Sequence, residues 1–111
     1  MSKRRFGNYG WIPDIPDARD QVLRLPRKAG PLPPSADLRA GCPPVYDQGQ
    51  IGSCTANAIA AAIEFDQRKQ QLPQLFTPSR LFIYYNERLM EGSAASDSGA
   101  QIRTASRAWP R

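Results

Sequence analysis

The chain has 111 residues, of which 41% are hydrophobic and 23% charged, and a formal net charge of +5, the balance of one small globular domain. No apolar run approaches the roughly 18 residues of a membrane-spanning helix, and Met1-Ser2-Lys3-Arg4-Arg5 leads into Phe6-Gly7-Asn8-Tyr9-Gly10 and not into the apolar stretch of a secretory signal. With no histidine and only Cys42 and Cys54, the composition argues against a zinc site and implies no cofactor.

Eight of the eleven prolines lie at or before Pro44, so residues 1–36 read as an irregular, basic, Pro-rich leader that wraps without supplying helices or central strands. Residues 1–41 carry eight Lys/Arg and four Asp, whereas residues 42–111 carry seven Lys/Arg and six Asp/Glu. The basic excess is thus in the leader. It lacks a dense basic stripe or a nucleic-acid motif, which argues against a nucleic-acid partner. Asp37-Leu38-Arg39 and Pro43-Pro44-Val45-Tyr46 read as short extended pieces, followed by a glycine-bearing turn at Gln48-Gly49-Gln50. Ser53 can cap a helix that starts at Cys54 and runs through Ala56, Ala58, Ile59, Ala60, Ala61, Ala62, Ile63 and Phe65, almost without polar interruption, and so should be buried on several sides. A second helix is expected with Thr77 as N-cap and Pro78 as its first residue. Leu81, Phe82, Tyr85 and Leu89 lie on one face, and Gly92 is the stop. A third is expected from Ser98, spaced from Gln101 as in a capping box, with Ile102, Ala105 and Trp109 as its apolar stripe. Three helices and no convincing sheet define a mostly α module. Its core is small enough to need a partner or to be marginally stable.

Cys54 carries the chemistry. A thiolate attacks a carbonyl, and a cysteine at a helix N-terminus has its anion favoured by unpaired N–H groups and the helix dipole. The oxyanion that then develops needs preorganised donors. The Cys54 backbone N–H and the Gln48 side-chain amide can serve if Gly49 and Gly52 let the loop fold back. A cysteine flanked by Ser53, Thr55 and Ala56 is otherwise a small packing residue. The aromatic residues Phe82, Tyr84, Tyr85 and Trp109 read as core at helical spacing, and Asp97, Glu87 and Glu91 lack paired carboxylates or metal-ligand spacing.

Gln48-Gly49-Gln50-Ile51-Gly52-Ser53-Cys54 is similar to the Gln-Gly-x-Cys-Gly-Ser-Cys segment of papain-like cysteine peptidases, and Asp37-Leu38-Arg39 resembles the Asp-Trp-Arg that opens their mature domain. Ser96-Asp97-Ser98-Gly99 resembles their Cys-Asn-Gly-Gly turn. The resemblance implies that Cys54 is the nucleophile and Gln48 the oxyanion donor. It also implies that Gly99, with Ser98 and Gly52 beside it, holds a peptide in a strand-like pose, and that Ala100 borders the pocket for the substrate side chain two before the cut. Ile51 and Ser96 stand where the family usually has a disulfide pair, and Thr55 where an aromatic residue usually follows the nucleophile. The wording around Cys54 and the short Trp11–Asp20 leader resemble a divergent, mostly bacterial branch.

In that family the His and Asn follow the Cys by roughly 130 to 150 residues, and this chain ends 57 after Cys54. The expectation is the helical half of a papain-like α+β fold over residues 37–111. The β-rich half would be absent, and a missing C-terminal portion would supply His and Asn. The chain is then a cytoplasmic, truncated peptidase acting on peptides or proteins and inactive alone. Two other readings exist: a non-catalytic remnant that binds an extended peptide or a protein through the Gly99 region, and a basic adaptor whose leader meets nucleic acid or anionic lipid.

Overall fold

The structure, a computed structural model, describes residues 9–26 and 30–109. The basic Lys3-Arg4-Arg5 stretch lies outside the described residues. A 3-10 turn, Arg39–Gly41, stands where an extended piece was expected. Asp37 accepts from the Arg39 backbone N–H at 3.0 Å and from its guanidinium, which folds the chain back on itself. Three helices follow: α1 (Cys54–Lys69), α2 (Arg80–Met90) and α3 (Ile102–Arg107). Each packs against the other two. Among the described residues the only strand-like pairing is an isolated parallel bridge between Trp11 and Ala100. No helix among them is long and apolar enough to cross a membrane.

α1 starts at Cys54 as its sequence predicts. Ser53 holds the N-cap position without capping, since its Oγ accepts from Asn57 Nδ2 at 3.0 Å. Arg68 and Lys69 in the last turn suit the negative end of the helix dipole. α2 begins two residues later than Pro78, because Ser79 Oγ accepts the Phe82 backbone N–H at 3.2 Å and so becomes the cap. α3 is also shorter than the capping-box reading. Ser98 is exposed, Gln101 is the N-cap, and the Arg103 backbone N–H donates at 3.1 Å to Asp14, a residue from the leader.

The core is built from small residues that let helices approach closely: Ala56 and Ala60 of α1, with Ala108, pack against Ile83 and Tyr84 of α2. Trp109 packs at its margin and stacks on Phe76 with ring centroids 5.8 Å apart. The face of α2 that reads as apolar points the other way. Leu81, Phe82, Tyr85 and Leu89 are at least half exposed, while Ile83, Tyr84 and Glu87 are buried. Leu89→Gln is therefore expected to change stability by no more than about 0.5 kcal/mol in urea denaturation, against roughly 2 kcal/mol or more were Leu89 a core residue.

α1 is likewise less enclosed than its alanine run suggests. Thr55, Ala56, Ala60 and Gln67 are buried, but Ala58 and Ala62 face outward. Its open side floors a groove of about 520 Å³ walled by Leu38, Pro44, Tyr46 and Phe65, next to Val45, which is 99% exposed.

Candidate active site

The loop before α1 is closed by its own polar groups. Gly49 N–H donates to Asp47 Oδ1 at 2.9 Å and Gln48 Nε2 to the Ile51 carbonyl at 2.8 Å. Arg80, at the start of α2, ties this loop to α1 by donating to the Asp47 carbonyl at 3.0 Å and to Asn57 Oδ1 at 2.8 Å. Gln48 and Cys54 are thereby aimed at one point, and the leader fills it. The Tyr9 carbonyl accepts from Gln48 Nε2 at 3.2 Å and from the Cys54 backbone N–H at 3.2 Å.

The next residue is wedged between two other glycines. Gly10 has φ +92°, a region open to glycine, and a Cβ there would lie 1.8 Å from the Gly52 carbonyl oxygen. Gly99, with φ +77°, would place a Cβ 2.1 Å from the Gly10 carbonyl oxygen. The pairing then extends as a short parallel bridge, in which Ala100 N–H donates to the Gly10 carbonyl at 2.8 Å and Ile12 N–H to the Ala100 carbonyl at 3.0 Å. Gln48, Gly52, Cys54, Gly99 and Ala100 thus all meet residues 9–12. Of the predicted site residues, Ser98 alone stays exposed at the edge.

Three residues that sequence reasoning passed over hold this arrangement. Asp97 accepts the Gly52 backbone N–H at 3.0 Å, and the Tyr84 hydroxyl donates to the same carboxylate while accepting from Gly99 N–H at 3.1 Å. The loop bearing Gly52 is so fastened to the loop bearing Gly99. Burial first, then the bond to Asp97, pushes the Tyr84 hydroxyl up to about 12. The third is Glu87, fully buried under the start of α1, where Oε2 accepts from Thr55 Oγ1 at 2.8 Å and Oε1 has no partner. Burial pushes this carboxyl up to about 7, with Glu91 adding to the rise and Thr55 and Arg88 opposing it. Thr55, small and hydroxylated next to the cysteine, was the available signal for such a partner.

The environment of Cys54 is not that of a free helix-terminal thiolate. Burial raises its thiol above the ordinary value, and the charge of Glu87 adds to this; the backbone N–H groups of Thr55 and Cys54 act in the opposite sense without overcoming it. Cys42 and Cys54 are both unpaired. No group of His, Cys, Asp and Glu among the described residues could hold a metal ion.

The class these elements define is a mostly helical module that matches the helical half of a papain-like fold. Its likeness is to xylellain, a cysteine protease from Xylella fastidiosa, with a TM-score of 0.80 and 50% identity across 96% of this chain and 40% of that one. An uncharacterised peptidase C1-like protein of Acanthamoeba polyphaga mimivirus is 45% identical across 87% of this chain and 37% of its own length. No family model matches. These relatives support a papain-like cysteine peptidase relationship, and the chain spans about two fifths of the length of each.

Proposed function

We propose that the chain is the nucleophile-bearing, N-terminal portion of a papain-like cysteine peptidase of a divergent, mostly bacterial branch. Residues 37–111 form the helical subdomain and residues 1–36 the leader. In this reading the Cys54 sulfur bonds to the carbonyl carbon of a peptide, and the carbonyl electrons move onto the oxygen. The Gln48 amide and the Cys54 N–H hold that oxyanion. The carbon–nitrogen bond then breaks as the amine takes up a proton, and water releases the acyl group. Gly52, Ser98, Gly99 and Ala100 border the peptide.

The observation that carries the reading is that a peptide carbonyl, that of Tyr9, already lies on both donors while the following residues pair with Ala100 in strand fashion. The chain contains no histidine. The base that ionises the thiol and the acid that protonates the amine are not among these residues, so on this reading the 111 residues alone are inactive.

The test is hydrolysis of a fluorogenic peptide by the longest natural product that carries these residues. Cys54→Ala should abolish it, and Gln48→Ala should lower kcat roughly 100-fold or more. Hydrolysis that survives Cys54→Ala overturns the assignment.

A further inference from the structure

The leader is held at two places. One is the cleft itself, through Tyr9, Gly10 and Ile12. The other lies at α3, where Arg103 engages the leader three times. Its backbone N–H donates to Asp14 Oδ1 at 3.1 Å, Nη1 to the Ile15 carbonyl at 2.8 Å, and Nη2 to Asp20 Oδ2 at 2.6 Å. The turn it clasps is preorganised, with Asp20 N–H donating to the Asp17 carbonyl at 3.0 Å and Asp17 paired with the Arg19 guanidinium. The leader is basic as a whole, yet this stretch sets Asp14 against the Arg103 backbone N–H and Asp20 against the Arg103 guanidinium. The Arg19 guanidinium first, with smaller contributions from Arg103 and Arg107, holds Asp17 down at about 2.

α3 connects directly to Ala100, whose N–H and C=O carry the bridge to Gly10 and Ile12. The clasp therefore fixes the leader on the chain side that follows the plug. The Arg103–Asp20 pair is partly open to water, with side-chain exposures of 24% and 55%, so ions compete for it.

We propose that Arg103 is a latch residue, which holds Tyr9 and Gly10 over the Cys54 site by clasping the Asp14–Asp20 turn, so that weakening this ionic clasp uncovers the site. That the uncovered cleft receives a peptide rests on the reading above; the latch does not.

The test is hydrogen–deuterium exchange on the full chain, read at the amides of Ile12, Cys54 and Ala100, with the Ala60 amide inside α1 as the internal control. Between about 0.05 M and about 1 M KCl the three amides of the wild type should exchange about tenfold faster, while Ala60 does not move. Arg103→Ala should exchange fast at these three amides at both salt concentrations and lose the salt response; Arg103→Lys should keep part of it. Exchange in Arg103→Ala equal to the wild type, or an unchanged salt response, overturns the latch. Should Arg103→Ala also lose Ala60 protection, Asp20→Asn on the leader side decides. It should speed the three amides and blunt the salt response, and no change overturns the proposal. Unchanged amides would leave the peptidase reading standing, and hydrolysis that survives Cys54→Ala would leave the latch standing.

Discussion

Gly10→Val should expel the leader from the cleft and raise the rate at which iodoacetamide alkylates Cys54 about tenfold at pH 8, measured in a Cys42→Ser background. The overlap is not negotiable by small shifts. A Cβ at position 10 would stand 1.8 Å from the Gly52 carbonyl oxygen, which is backbone, and φ +92° is itself closed to a β-branched residue. Against this stand the hydrogen bonds that the Tyr9 and Gly10 carbonyls and the Ile12 N–H make with Gln48, Cys54 and Ala100, worth about 1 kcal/mol each. Leaving is cheaper than staying. Water and reagent then reach the start of α1 and the burial that raises the Cys54 thiol is relieved, so access to the sulfur and its thiolate fraction rise together. An unchanged alkylation rate would show that the leader does not cover Cys54 in solution.

Glu87→Gln should stabilise the chain at pH 8 while giving no gain at pH 5. Glu87 has its carboxyl raised from 4.5 to about 7 in the folded protein, chiefly by burial. The folded chain therefore keeps this proton through a range in which the unfolded chain has lost it. Stability is highest below about 4.5 and falls as the pH rises toward 7, by about 3 kcal/mol in total from this one group. Glutamine retains an oxygen to accept from Thr55 and has nothing to ionise. Urea denaturation of the two proteins at both pH values measures the difference, and parallel pH profiles would mean that Glu87 is already ionised in the fold.

These two residues mark the limits of what the sequence discloses. Helix α1 and the convergence of Gln48 on Cys54 were legible, since glycines in a short polar loop and an alanine run are local signals. The inner face of α2 was not. Leu81, Phe82, Tyr85 and Leu89 form the better apolar stripe, and a hydropathy pattern cannot tell that Glu87 goes inside because Thr55, thirty-two positions earlier, receives it. The N-caps shifted for a related reason: Ser79 and Gln101 took the positions expected for Thr77 and Ser98, and the first turn of α3 draws a carboxylate from Asp14, far away in the chain. The seating of residues 9–12 on Ala100 leaves no periodic trace at all. A single parallel bridge between positions 89 residues apart has neither length nor alternation to reveal it.

The stack of Gly10, Gly52 and Gly99 has a consequence for how such a chain can drift. Steric crowding in proteins is usually relieved in pairs, a larger side chain at one place answered by a smaller one opposite. Here each neighbour is already without a side chain, so no reciprocal shrinkage is left to offer. The backbone path of the leader and the two loops that clasp it must then be inherited as one piece, and positions spread across ninety residues of sequence are bound to the same fate.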